Sequence, residues 1–324
     1  MEIWDNTKLS AYICEMKGHY AMERHLVPKE PAEALAFGIA MHAAREVWIK
    51  ESLMQGVPVP DGQTGEAIPY CSNIIGLAKQ AFLTAWEKEL PLDMREVLEF
   101  NGDRRSYANF CRLFEAYVNK FPLAMYDKII AVETPFTLFL GKTPKGVEIA
   151  WSGILDLAIE WQGGLFYDDL KTSSYGIDDK FFNQFRLSGQ LTGYAWAGKE
   201  LGLGNFNGIM VHGIEVKVPQ EGVKLKKDGT PYARQGRSSD AMIGVDIIPI
   251  SDEAIAEWKK DTLRKIDKIH EARELKHWVR DRGDICNNFN GCQFRPVCSV
   301  GEDLRESRIE EYYKVKEWKP LERK

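Results

Sequence analysis

Asp156, Asp169 and Lys171 are the residues whose types and spacing best suit them to chemistry in this 324-residue chain. They sit in Trp151-Ser-Gly-Ile-Leu-Asp156-Leu-Ala-Ile-Glu160, then a Gly163-Gly164 turn, then Leu165-Phe-Tyr-Asp-Asp169-Leu-Lys171-Thr172. Two apolar runs joined across Gly-Gly predict a hairpin. Side chains alternate faces along a strand, so Asp169 and Lys171 point to one side. Asp156 on the partner strand can reach that side. Two carboxylates and one ammonium in a small volume are costly as core packing and useful for binding a divalent cation. The Asp-x-Lys pair alone also occurs on exposed strand edges, so its weight comes from the hairpin and from Asp156.

Three further elements must position this set. Asp178 to Lys199 reads as a helix with Phe182, Arg186, Gln190 and Tyr194 at successive i+4 steps, which places them on one face. Arg186 offers a guanidinium fork for phosphate, and Gln190 and Tyr194 offer amide and phenol donors. The bland alternative is an amphipathic helix whose core face is Phe181, Phe185, Leu191 and Ala195. Upstream, Pro28 to Lys50 reads as a helix carrying Gly38 and His42 one turn apart. A helix-interior glycine costs roughly 1 kcal/mol relative to alanine, which predicts close approach of a neighbouring backbone. His42 would add an imidazole to the carboxylates and tilt metal choice from Mg²⁺ towards Mn²⁺.

The cysteines supply the third element. Cys286, Cys292 and Cys298 form C-x5-C-x5-C around Gly291 and Pro296. Three thiolates fall one short of a tetrahedral or cubane site, and Cys14 is the candidate fourth. Cys71 and Cys111 lie in helical-looking stretches and read as small buried hydrophobes.

In order and joint presence these motifs resemble the RecB-like branch of the PD-(D/E)xK nuclease superfamily, specifically its four-cysteine iron–sulfur members. Those include CRISPR-associated and AddB-type nucleases and phage-encoded relatives. The matching positions are Cys14, Gly38 and His42, Gly153 and Asp156, Asp169 and Lys171, Gln190 and Tyr194, and Cys286, Cys292 and Cys298. The resemblance covers about residues 9 to 300, and departs from the common C-x2-C-x5-C spacing at its first gap. It implies an α/β, restriction-endonuclease-like mixed sheet flanked by helices, with a helical N-terminal layer and a C-terminal Cys-rich metal-cluster loop. It also implies a phage or prokaryotic stand-alone DNA nuclease, an exonuclease on single-stranded ends. Its cofactors would be Mg²⁺ or Mn²⁺ and a structural [4Fe-4S] cluster, with Zn²⁺ as the alternative, and a helicase or recombination protein is an expected partner. Asp156, Asp169, the Leu170 carbonyl and His42 would hold the catalytic cation, Lys171 the attacking water, and Gln190 and Tyr194 the phosphate or flanking nucleotide. Glu133 would be an outer ligand. A catalytically silent nucleic-acid-binding module is the alternative from another class.

The remaining sequence sets boundaries. Hydrophobic residues at 44% and charged residues at 28% suit a globular chain with a sizeable core. No apolar run approaches a membrane span, and Met-Glu-Ile-Trp-Asp is not a signal peptide. The expected location is the cytoplasm, or the host cytoplasm if phage-encoded. Gly141-Lys142-Thr143 mimics the end of a phosphate-binding loop, but Phe136 stands where that motif requires glycine. A net charge of −5 excludes a uniformly basic DNA-coating protein. A local patch must serve instead. Lys217 to Arg237 holds Lys224, Lys226, Lys227, Arg234 and Arg237, either as a DNA-contacting flap or as a solvated loop. The expected organisation is a mainly helical region over 1–125 contributing Cys14 and His42, a nuclease core over 126–280, a Cys-cluster loop over 281–300 and a polar tail over 301–324. Within it a Pro/Gly-rich loop spans Gly56–Ala67. Strands are expected near 127–139, 148–160, 164–171, 206–217 and 241–250, with helices over 178–200 and 251–278.

Overall fold

Strands form where the sequence alternates or runs apolar. They are β1 (Glu2–Trp4), β2 (Leu26–Pro28), β3 (Lys128–Lys142), β4 (Glu148–Trp161), β5 (Gly164–Ser173), β6 (Gly208–Glu215), β7 (Ile243–Ile248) and β8 (Tyr313–Val315). The computed structural model describes residues 1–55, 72–204, 206–219, 226–230, 238–287 and 291–321. The predicted Gly56–Ala67 loop, Cys71, Lys224, Arg234 and Arg237 lie outside the described residues. The chain divides into two units, neither continuous in sequence. One comprises Met1–Pro31, Pro135–Ile154 and Ser251–Arg323, the other Ala32–Thr134 and Leu155–Ile250.

The second unit is built on a mixed sheet. The end of β4 pairs antiparallel with β5, from Trp161–Gly164 to Leu157–Asp168. The connection is a two-residue turn at Gln162 and Gly163, whose φ values of 50° and 71° suit a hairpin between right-twisted strands. The turn thus falls one residue before the predicted Gly163-Gly164, and Gly164 already belongs to β5. β5 runs parallel to β6, and β6 antiparallel to β7. Every residue of β6 is buried, as expected of a strand with a parallel neighbour. Helices Glu33–Met54, Ser72–Glu89 and Tyr107–Lys120 share one core with this sheet, in which Phe37, Phe82 and Phe110 meet Leu157, Leu170 and Ile214. The Phe82 and Phe110 rings stack with centroids 3.6 Å apart.

A parallel pair needs a long crossover, and the β5–β6 crossover corrects one expectation. The helix predicted over 178–200 is two helices, Asp179–Asn183 and Gly189–Glu200. Ser188 caps the second, its hydroxyl accepting from the Leu191 amide, and hydroxyl capping competes with a continuous ladder. Gln190 and Tyr194 therefore share a helix, while Arg186 lies in the break before it. Phe182, expected on the polar face, is buried, and Phe185 is half-buried.

In the first unit, β1 pairs in parallel with the start of β4, from Glu2–Ile149 to Trp4–Trp151. The N-terminal region thus opens with a strand as well as helices. The helix Asp252–Leu275 begins at a Ser251 cap and ends at Lys276, whose φ is 49°. The polar stretch after Gly301 forms a helix, Arg305–Tyr312, and then β8, which pairs antiparallel with β2. Tyr20, Leu26, Phe294, Val297, Ile309 and Tyr313 form the core beneath this ribbon. Among the described residues, no helix is long and apolar enough to cross a membrane.

Candidate active site

Asp156 and Asp169 are the next residues on each strand beyond the last β4–β5 pair, Leu157–Asp168. Strand alternation then sorts the β5 side chains. Asp168, Leu170 and Thr172 face the helix Glu33–Met54 and its core, and Tyr167, Asp169 and Lys171 face the helix Gly189–Glu200. Asp156 is 9% exposed and Asp169 is 2% exposed. On the second face a continuous polar chain forms. The Lys171 ammonium lies 2.9 Å from Asp169 Oδ2 and donates to Gln190 Oε1 at 3.0 Å. Gln190 Nε2 in turn donates to the Tyr194 hydroxyl at 3.0 Å. His42 Nδ1 stands 3.2 Å from Asp156 Oδ2. The two carboxylates, the lysine, the imidazole, the amide and the phenol singled out in the sequence are all in the second unit, and these contacts join them into two groups.

The electrostatics suit a cation. Burial pushes the Asp169 carboxyl above the ordinary carboxylate range. Lys171 and His42 oppose that push, while Asp156 adds to it. Asp169 Oδ2 lies 2.9 Å from the Lys171 ammonium, which is its one polar partner among the described residues. A buried carboxylate next to a second carboxylate, with one ammonium as its ion partner, is only partly compensated. A hard divalent cation with oxygen ligands would relieve it, so the donor set fits Mg²⁺ or Mn²⁺. Among the described residues, no three His, Cys, Asp or Glu side chains already close on a single point.

Several neighbours were not read from the sequence. Asp168, beside Asp169, is fully buried on the opposite face. It ion-pairs with Arg45, accepts from the Tyr126 hydroxyl at 2.6 Å and meets His212 Nε2 at 3.2 Å. Burial would raise its carboxyl, but Arg45 first, then His212 and Tyr126, hold it well below the usual range. This saturation leaves Asp169, paired with Lys171 alone, as the carboxylate of the Asp-Asp pair that faces Asp156. Tyr167 is 1% exposed, and its hydroxyl has no hydrogen-bond partner. Its ring lies 6.0 Å from that of Tyr194. Burial, then Tyr194 and Asp156, keep the phenol protonated. Period-two alternation places Tyr167 with Asp169 and Lys171, so the sequence held that signal. Nothing in the sequence paired Arg45 with Asp168.

Other expectations fall differently. The nearest atom to a Cβ built on Gly38 is the Thr172 hydroxyl, at 3.4 Å. The neighbour is a side chain in ordinary contact, so backbone approach does not explain this glycine. Glu133 takes φ 48° within β3, a left-handed conformation that non-glycine residues seldom adopt. Arg186 is exposed, donates to Asn183 and lies 4.0 Å from Asp246. Lys226 and Lys227 occupy an exposed turn closed by the Gly229 and Lys226 amides.

The four predicted cysteines belong to the first unit. Cys14, Cys286, Cys292 and Cys298 line one cavity of ≈ 530 Å³, together with Lys17, Arg280, Arg282 and Arg295. All four are free thiols. The Cys286 thiol donates to the Asp281 carbonyl at 2.8 Å. Burial, then the neighbouring thiols, push Cys286 upward, and burial does the same to Cys298 against the pull of Arg280. Four cysteines in one cavity whose charged lining is Lys17, Arg280, Arg282, Arg295 and Asp281 are a donor set that fits a metal–thiolate group.

The model of the PD-(D/E)XK nuclease superfamily matches residues 11–299. No curated protein matches the sequence. A crystal structure from Eubacterium rectale, named as a candidate exonuclease, is similar over 88% of this chain and 86% of its own. The identity is 12% and the TM-score 0.40, a likeness too loose to carry an argument.

Proposed function

This chain belongs to the PD-(D/E)XK nuclease superfamily, and on that premise we propose that it is a Mg²⁺- or Mn²⁺-dependent deoxyribonuclease acting as an exonuclease on single-stranded ends. Its mixed α/β sheet flanked by helices is the restriction-endonuclease-like fold of that superfamily. The observation that carries the reading is the chain Asp169–Lys171–Gln190–Tyr194 beside Asp156 and His42. Asp156, Asp169 and the Leu170 carbonyl would hold the cation, with His42 as a nitrogen donor, and when bound it would supply an activated water and charge neutralisation at the scissile phosphate. Lys171 would orient that water and stabilise the charge that develops on the phosphate. Gln190 acts through Lys171, because its amide oxygen already accepts from that ammonium, and Tyr194 fixes the amide in turn. Arg186, Lys226 and Lys227 contact the DNA backbone beyond the site. A helicase or recombination partner would supply the unpaired end.

The cavity that gathers Cys14, Cys286, Cys292 and Cys298 supports a four-thiolate metal group, which we read as a structural iron–sulfur cluster with zinc as the alternative. Four thiolates suit a cubane cluster as well as a zinc ion, and metal content separates the two. Anaerobically purified protein should be brown and contain iron and sulfide. Colourless protein with one equivalent of zinc would favour the alternative. A silent binding module is disfavoured, because two neighbouring buried carboxylates cost folding energy and contribute no packing. The nuclease reading is tested on end-labelled linear single-stranded DNA with Mn²⁺, comparing the wild type with Lys171→Ala. Cleavage by the wild type alone supports it, and equal cleavage by both overturns the assignment of Lys171. If neither protein cuts single-stranded or duplex DNA, the binding module takes its place.

A further inference from the structure

A second polar cluster lies beneath the proposed metal ligands and takes no part in the chemistry above. Arg45 is 3% exposed and Asp168 fully buried. The guanidinium is held at two points, its Nε donating to the Tyr117 hydroxyl at 2.9 Å and its Nη2 to Asp168. The other Asp168 oxygen takes Tyr126 at 2.6 Å and His212 at 3.2 Å. Tyr117, Tyr126 and His212 are themselves buried.

Taking two ions out of water is expensive, and a packed apolar pair would join helix to strand at least as stably. What the ion pair adds is direction. A planar fork bonded at two points fixes both the rotation and the slide of its helix. The positions of the two partners make that restraint matter. Arg45 follows His42 by three residues on the helix Glu33–Met54, about 4.5 Å along one rigid rod. Asp168 precedes Asp169 on β5. One ion pair thus ties the element carrying the imidazole to the element carrying Asp169. His42 stands 3.2 Å from Asp156, so a shift of about 1 Å at Arg45 would open that contact.

We propose that Arg45 and Asp168 are a positioning pair. They fix His42 against Asp156, set the direction of Asp169, and thereby set how tightly the site holds its divalent cation. The proposal rests on the nuclease reading for the identity of the site. Its test is direct Mn²⁺ binding to the full chain, read by the paramagnetic resonance of free Mn²⁺, with thermal unfolding in chelator as the measure of stability. The double variant Arg45→Met/Asp168→Leu removes both charges and leaves no lone buried ion. It should unfold no earlier than the wild type yet bind Mn²⁺ about 10- to 100-fold more weakly, the usual range for residues that orient metal ligands. A stable double variant with wild-type Mn²⁺ affinity overturns the proposal. Should the double variant not fold, Arg45→Lys keeps the charge but cannot reach Tyr117 and Asp168 together. It should weaken Mn²⁺ binding in the same direction, and unchanged affinity in that folded variant also overturns the proposal. Asp169→Asn separates the two readings. If it loses Mn²⁺ binding while the double variant keeps it, the positioning pair alone fails. If Asp169→Asn binds like the wild type, the metal-site reading fails and the pair falls with it.

Discussion

Replacing Lys171 by methionine removes a charge and keeps the chain length, and its effect can be worked from the structure. The ammonium lies 2.9 Å from Asp169 Oδ2. At an effective dielectric constant of 20 the bare attraction is about 6 kcal/mol. Desolvation of both ions offsets much of it. Breaking a buried pair by deleting one partner costs roughly 3–5 kcal/mol. Lys171 is 23% exposed, so its loss should cost less, about 2–3 kcal/mol at neutral pH. The pH dependence carries the sign. Burial already holds Asp169 above the ordinary range, and removing the opposing ammonium raises it further. A carboxyl raised in the folded state favours folding at low pH, and that benefit is lost as pH rises through the folded pKa. The deficit of Lys171→Met should therefore be small near pH 4 and grow towards neutrality, by about 1.4 kcal/mol for each tenfold gain in the carboxylate's proton affinity. Thermal unfolding of both proteins in chelator across that range measures it. Mn²⁺ should restore stability, by about 2.7 kcal/mol at 100 times its dissociation constant. Cleavage should fall by about 10²- to 10³-fold. A deficit of the same size at pH 4 and pH 7 would refute the electrostatic argument, whatever the activity.

Two further outcomes follow from residues outside the chemistry. Glu2 bonds Lys8 at 3.0 Å, Arg273 at 2.9 Å and His270 at 2.6 Å. Burial would raise its carboxyl, but Lys8 and Arg273 outweigh that and lower it to about 2. A lowered carboxyl stabilises the fold above its unfolded pKa, and this is lost as pH falls. Glu2→Gln should thus be less stable than the wild type at pH 7, and the gap should close between about pH 4.5 and pH 2; a gap that persists at pH 2 contradicts the assignment. Gly38→Ala should raise the stability by up to about 1 kcal/mol, since a Cβ there meets only the Thr172 hydroxyl at 3.4 Å. A lower melting temperature would show that the Thr172 contact cannot give.

The local signals were strong where the chemistry is local. Period-two alternation put Asp169 and Lys171 on one face of β5, the hairpin brought Asp156 alongside, and helical spacing joined Gln190 to Tyr194. These relations span a few residues each and depend on backbone geometry that any strand or helix shares. The three late cysteines were legible for the same reason. The sequence misjudged the helix over 178–200, because a serine that caps and a serine on a polar face look alike until the backbone is seen. Gly38 misled in another way, since a glycine can mark close approach, but only the neighbour's identity shows what it makes room for. Tertiary structure alone decided which of two adjacent aspartates is saturated by buried partners and which faces Asp156. Asp168 and Asp169 are the same residue type in the same strand, and sequence cannot assign them different pKa values. The fold gives one a buried guanidinium, a phenol and an imidazole, and the other a half-buried lysine and a second carboxylate. The partners of Asp168 stand 42 to 123 residues away in the chain, and separations of that length carry no periodic signal. They are set by packing of the helical core against the sheet.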